Sequence, residues 1–264
     1  MDVRGSKVLL TGATGGIGTA LAAAMTAHGA DLVVTGRREE ALKAASDAYG
    51  ARTVLADLAD RDDVARLART CADTDLLIAN AALPASGELL DYSEDQIDRA
   101  LDVNLRAPVM LCRALAEPMV ARGRGHIVLV GSISGKAATR SSSLYNATKF
   151  GLRGFALALR QDLAGTGVGV SLVQPGFVRD AGMFAATGAA TPNRIRTVSP
   201  AQVAEGVVRA VRRDLCEVNV APLELRLLSA IAGQFPRFAE RVQARASGVE
   251  DSVRQIVEAQ RASR

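Results

Sequence analysis

Thr11-Gly12-Ala13-Thr14-Gly15-Gly16-Ile17-Gly18 follows the apolar run Lys7-Val8-Leu9-Leu10 and opens an alanine-rich stretch to about His28. A glycine turn set between a strand and a helix commits the chain to a strand–turn–helix unit. The same alternation then repeats. Short apolar runs at Asp31–Thr35, Thr53–Ala56, Asp75–Ala79, His126–Val130, Val168–Val173 and Glu217–Val220 are separated by helical stretches. Strands joined by helices form right-handed crossovers, and so a parallel sheet covered on both faces. The fold class read here is α/β, a doubly wound parallel sheet. Its ligands bind beyond the carboxyl ends of the strands, where the connecting loops gather.

The glycine turn has the spacing of a dinucleotide site, one residue longer than the commonest form. Gly12 permits the tight turn, Gly16 lets main chain approach a diphosphate, and Gly18 lets the helix pack on the strand. The diphosphate then sits on N–H groups at the helix N-terminus. The second strand ends in Gly36-Arg37-Arg38, where an acidic residue would bind a ribose hydroxyl. A small residue followed by a guanidinium suits a 2′-phosphate, so NADP(H) is preferred and NAD(H) is possible. Arg37 and Arg38 are otherwise the start of a solvated helix. Asp57 either accepts a hydrogen bond from adenine or helps to start the next helix.

Tyr145 and Lys149 are four residues apart, so a helix stacks them on one face. A nearby ammonium favours the phenolate, which lowers the tyrosine pKa and equips it to exchange a proton with a substrate oxygen. Ser132 lies just past the fifth strand. Ser93-Glu94-Asp95-Gln96 reads as a capping box for a helix carrying Ile97, Leu101, Asn104 and Leu105. Pro108 lacks the N–H that would bond the Asn104 carbonyl, leaving that carbonyl at a bend and able to hold water. The helix from Tyr145 through Leu152, Phe155, Leu159 and Leu163 is too apolar for full exposure, and is expected against the sheet and a second subunit.

Composition removes several other classes. Hydrophobic residues make up 48%, yet no apolar run reaches the ~18–20 residues of a spanning helix. The start leaves no room for a signal peptide before the first strand. Three scattered cysteines, Cys71, Cys112 and Cys216, fit a reducing cytoplasm rather than a disulfide framework. His28 and His126 have no metal-ligand spacing. A net charge of +4, spread along the chain with only 3% aromatics, describes a solvated surface and no nucleic-acid face.

The stretch from about Phe177 to Thr197 carries Gly182, Gly188 and Pro192 beside Met183 and Phe184, and reads as a lid. Ser199-Pro200 starts another helix. After Pro222 the pattern changes. Leu227, Ile231, Phe235, Phe238 and Val242 recur at helical spacing among Arg226, Arg237, Arg241 and Arg245, and Val249, Val253, Ile256 and Val257 mark one more helix. This tail packs on its own domain, on a partner subunit, or on a membrane surface. No repeat or linker divides the chain, so residues 1–264 read as one domain with 222–264 a helical extension.

With these residues assembled, the chain resembles the short-chain dehydrogenase/reductase family over roughly residues 5–220. The resemblance rests on Thr11-Gly12-x-x-x-Gly16-x-Gly18, Asn80-Ala81-Ala82, Asn104, Ser132, Tyr145-x-x-x-Lys149 and Pro175-Gly176, in the family's order. It implies a Rossmann-type sheet of seven strands, a nicotinamide cofactor and a catalytic set of Asn104, Ser132, Tyr145 and Lys149. The implied cofactor contacts are Gly12, Thr14, Gly15, Gly16, Ile17, Gly18, Arg37, Arg38, Asp57, Leu58, Asn80, Ala81, Tyr145, Lys149, Pro175, Gly176 and Val178. Two stretches depart from the family pattern: Ala79 precedes Asn80 where an asparagine is usual, and Asp180 lies near the usual place of a threonine that bonds the nicotinamide. The expected function is hydride transfer between NADP(H) and an apolar carbonyl or alcohol, with Tyr145 as general acid/base. Leu83, Leu144, Met183 and Phe184 are expected to border the pocket. The alternatives are an NAD-dependent alcohol dehydrogenase and a non-catalytic dinucleotide-binding sensor or scaffold. A homodimer or homotetramer is expected, with membrane contact through the C-terminal helices open.

Overall fold

The computed structural model describes residues 1–188, 196–245 and 255–260. The strands are β1 Lys7–Thr11, β2 Asp31–Gly36, β3 Arg52–Leu55, β4 Leu76–Ala79, β5 Gly125–Val130, β6 Val168–Pro175 and β7 Glu217–Val220. They form one seven-stranded sheet in the order β3-β2-β1-β4-β5-β6-β7, with every pairing parallel. The order reverses beside β1, so the loops after β1 and β4 open the crevice in which such sheets bind ligands.

The helices are α1 Gly16–Ala27, α2 Glu39–Tyr49, α3 Arg61–Thr70, α4 Glu94–Leu101, α5 Ala107–Ala121, α6 Ser143–Asp162, α7 Pro200–Arg213, α8 Leu223–Gln234 and α9 Pro236–Arg245. The period-two alternation of β1 shows how the layers are built. Val8 and Leu10 enter a cluster with Leu21 and Met25 of α1 and Val203, Val207 and Val211 of α7. Leu9 enters the opposite cluster with Leu67 of α3, Leu111 and Leu115 of α5 and Leu152 of α6. The central strands β4 and β5 are buried along their whole length, as strands covered on both faces must be.

Local chemistry sets the element ends. Ser93 and Gln96 form the expected capping box, and Ser199 with Gln202 forms a second one ahead of Pro200. The bend at Pro108 is more specific than a kink. Between α4 and α5 the helix widens over Asp102–Arg106, and the Ala107 N–H bonds the Asp102 carbonyl five residues back. One correction falls on Asp57. The N-cap of α3 is Asp60, whose carboxylate accepts from the N–H groups of Asp62 and Asp63, so Asp57 does not start that helix.

In the C-terminal extension α8 packs on its own domain through Leu225 and Ser229, both buried. Pro192, Val249 and Val253 lie outside the described residues.

Candidate active site

The glycine turn places its residues as the sequence implies, for partly different reasons. Gly12 has φ +67 and lies against the Ala81 main chain, where a Cβ would come within 2.7 Å. A Cβ on Gly18 would stand 2.0 Å from the Gly12 carbonyl oxygen, so the helix packs on its own turn only with glycine there. Gly16 has a constraint that the sequence did not show: a Cβ there would meet Ala181 at 2.2 Å. Its small size serves contact with the loop after β6, beside any approach to a diphosphate. Gly15, the N-cap of α1, offers no side-chain cap, so the first-turn N–H groups of α1 are not claimed by a capping side chain.

Asn80 locks the end of β4 to this turn. Its amide donates to the carbonyls of Thr11 and Gly12, each at 3.2 Å, and the Thr11 hydroxyl accepts from the N–H groups of Asn80 and Ala81. Ala79 in place of a second asparagine therefore leaves this junction intact. Thr11 is a positioning residue, a role that the motif alone did not assign to it.

At the rim, Arg37 and Arg38 are exposed just past β2, with Gly36 leaving room above Thr14. This set fits a nicotinamide dinucleotide with a 2′-phosphate: glycine N–H groups for the diphosphate, a guanidinium for the added phosphate, and no acid at the end of β2. Asp57 is held by Arg99 at 2.9 Å and by the Ala59 N–H at 3.0 Å. Burial opposes its charge, but these bonds win and its pKa lies below the usual aspartate value. Leu58 and Val178 are buried in the core, so any contact they make with a cofactor is through main chain.

The structure gathers the four polar candidates at the carboxyl ends of β4, β5 and β6. Ser132 caps a short turn and accepts from the Ser134 N–H at 3.1 Å. Tyr145 lies near the start of α6, close enough to Ser132 for that hydroxyl to favour the phenolate. Lys149 is buried one turn later, its Nζ 5.7 Å from the Tyr145 ring centre and 3.3 Å from the Val130 carbonyl, to which it donates. The pKa balance corrects the sequence reading. Burial pushes the Tyr145 phenol up, and Ser132, rather than Lys149, pulls it back. Burial also pushes the Lys149 ammonium down, to about 8. Removal from water destabilises both charges.

Asn104 also does more than the bend implied. Its side chain is buried; its oxygen accepts from the Leu83 N–H at 2.6 Å, and its nitrogen donates to the Leu83 carbonyl at 3.0 Å. The bend is thereby tied to the strand-end loop that faces Tyr145, and the Tyr145 N–H bonds the Ala85 carbonyl in that loop. Asn146, next to Tyr145, holds the intervening loop by donating to the carbonyls of Ser134 and Ala137.

Leu83, held by Asn104, is partly exposed, as are Met183 and Phe184 in the loop after β6. Leu144 is buried against Ala85 and Ala100, in the cluster on which Tyr145 also packs. Asp180 has φ +67 and an exposed side chain 3.3 Å from Arg179, so it points into a surface ion pair. The base of the loop is fixed where Val178 and Val198 bridge. The Val198 N–H donates to the Phe177 carbonyl and the Arg179 N–H to the Val198 carbonyl, both at 2.9 Å. The rings of Phe177 and Phe184 are 4.9 Å apart.

A family model for short chain dehydrogenases matches residues 6–191. The chain belongs to the short-chain dehydrogenase/reductase family. It is 33% identical over 252 residues to the ketoacyl reductase HetN of Nostoc sp., covering 90% of this chain and 88% of that protein. A solved structure of a putative betaketoacyl-ACP reductase superposes with TM-score 0.75 at 32% identity, covering 83% of this chain and 97% of the other. A short-chain dehydrogenase from Sphingobium yanoikuyae, solved in complex with NADPH, superposes with TM-score 0.76 at 26% identity, covering 92% and 96%. As a member of this family the chain is an NAD(P)-dependent oxidoreductase acting on a carbonyl or alcohol group.

Proposed function

We propose that the protein is an NADPH-dependent reductase of an apolar ketone or aldehyde, of acyl-chain or steroid-like type. The convergence of Ser132, Tyr145 and Lys149 at the carboxyl ends of β5 and β6 carries this reading. The relatives named for ketoacyl reduction and the NADPH complex support it. NADPH, when bound, supplies the hydride. Gly16, Ile17 and Gly18 would offer N–H groups to its diphosphate, the Gly15 N–H being bonded to the Gly12 carbonyl, and Arg37 would meet its 2′-phosphate.

The protein's own residues handle the proton. Ser132 hydrogen-bonds the substrate oxygen and holds it toward Tyr145. Tyr145 gives its proton to that oxygen as negative charge develops there. Lys149 balances the phenolate and returns a proton to it, with the main-chain carbonyl of Asn104 holding a water for resupply. Burial keeps Tyr145 protonated at neutral pH, the state in which a reductase needs its acid.

The test pairs binding with turnover. Tyr145→Phe is expected to lose about 100-fold or more in NADPH oxidation with a 3-ketoacyl thioester, while calorimetric NADPH affinity stays within about two-fold. Equal loss of both would sink this division of roles.

The reading extends to a homodimer or homotetramer in the cytoplasm. Phe150 is exposed on α6, and Gly154 of the same helix faces open space, which supports a second subunit there. The free thiols Cys71, Cys112 and Cys216 support a reducing compartment.

A further inference from the structure

We infer that α8 and the start of α9 form a docking face for an anionic lipid surface. Leu223, Leu227 and Ile231 are four residues apart on α8, so they form one stripe, which Phe235 continues past its end. Their exposures are 61%, 56%, 46% and 63%, and Leu228 adds 48% beside them. The stripe faces away from the domain, because Leu225 and Ser229 occupy the buried side of the helix. A Cβ on Gly176 would come within 3.0 Å of Leu225, and one on Gly233 within 2.6 Å of the Lys136 carbonyl. The helix is therefore fixed along the rim of the site, with its second apolar face left outward.

Charge selects the occupant. No acidic residue occurs from Leu225 through Ala239, while Arg226 and Arg237 stand in that stretch; Glu240 and Arg241 follow it, so three exposed arginines face one exposed acid. The acid just before it, Glu224, is paired with Arg196 through two hydrogen bonds of 2.9 Å. Leucine, isoleucine and phenylalanine flanked by arginines in excess of acids describe a helix that lies in the interfacial plane of a bilayer. A second copy is a poorer fit. A two-fold contact sets a patch against itself, and this one would bring arginine against arginine. No helix among the described residues is long and apolar enough to span, so the face lies on the surface.

The Arg196–Glu224 pair joins α8 to the loop after β6. A docked α8 thus holds that loop beside the lipid, where an apolar carbonyl compound concentrates; this consequence, unlike the docking itself, rests on the reductase reading.

Vesicle sedimentation of the full chain tests the docking, with NADPH binding measured separately so that failure of one reading does not count against the other. The wild type is expected to sediment with vesicles of mixed phosphatidylglycerol and phosphatidylcholine at low salt. It should do so at least roughly ten-fold less with phosphatidylcholine alone. The double variant Leu227→Glu and Ile231→Glu, confined to exposed positions, should lose sedimentation and keep its thermal midpoint. Arg237→Gln with Arg241→Gln should weaken it several-fold. Absence of wild-type sedimentation, or undiminished sedimentation of the Glu variant, would overturn the inference. So would light scattering that shows an oligomer which the Glu variant dissociates, because the face would then belong to a second copy.

Discussion

Glu217, at the start of β7, places one carboxylate oxygen 2.8 Å from Nε of Arg153, one helical turn beyond Lys149. Its other oxygen lies 2.6 Å from Lys136 Nζ, in the turn that follows Ser132, and the Gln174 amide donates to the first at 2.5 Å. One carboxylate thus ties the serine-bearing turn and the tyrosine-bearing helix to the edge of the sheet.

Replacing that carboxylate should loosen both. Burial opposes the Glu217 charge, but Lys136 and Arg153 hold its pKa below the usual glutamate value. Because the group is only partly buried, Glu217→Gln is expected to cost roughly 1–2 kcal/mol in a denaturant melt. In wild type this contribution is present above the ordinary glutamate pKa and is lost as pH falls through the depressed folded value. An unchanged midpoint for the variant would show that the network contributes little.

Arg37 should govern the choice of cofactor. Arg37→Glu is expected to raise the NADPH dissociation constant about ten-fold or more and to change NADH far less, because only NADPH brings a phosphate to that position. Calorimetric titration with each nucleotide reads the difference. Parallel loss for both would deny Arg37 a discriminating role.

The rate of reduction should fall at high pH. Burial sets Lys149 near 8, so its ammonium is lost as pH rises through that value, and with it the proton that restores Tyr145. A plot of log kcat for reduction should bend downward near pH 8, approaching a ten-fold loss per unit. Lys149→Arg keeps the charge and should remove the bend from this range. A flat wild-type profile to pH 10 would exclude the proposed relay.

Acid stability should report His126, far from the site. The ring is buried, with Nε2 2.9 Å from the Ser171 hydroxyl, which itself donates to the Leu215 carbonyl. Burial holds its pKa down to about 4 against an ordinary 6.5, with Asp214 opposing. Between those values the unfolded chain takes up a proton that the folded chain refuses. Stability is therefore full above about 6.5 and falls by roughly 3 kcal/mol as pH drops to 4. His126→Gln, which keeps a donor for Ser171, should flatten this slope in melts across that window.

What the sequence made legible was local. The seven strands, the caps at Ser93 and Ser199, and the shared face of Tyr145 and Lys149 follow from spacings of two to four residues. What it hid was long-range pairing. Nothing near Asn104 shows that its amide clamps Leu83, nothing near Asp57 announces Arg99, and Glu217 meets Lys136 across 81 positions. The pKa of Tyr145 was misread for a related reason. Spacing fixes which groups are neighbours, but not how far each is taken out of water, and here burial raises the phenol while Ser132 opposes it.

The bridge between Val178 and Val198 has an evolutionary consequence. Both valines are anchored in the core, and their main chains are paired, so the stretch between them begins and ends at one fixed place. Lengthening or exchanging a segment closed in that way costs only a logarithmic increment of entropy. The proton-handling residues Ser132, Tyr145 and Lys149 all lie outside it. Under the proposed reading, in which this stretch borders the substrate, substrate range can drift like an exchangeable cassette while the chemistry stays constant, and grafting a relative's segment between these two valines is the natural route to a new substrate.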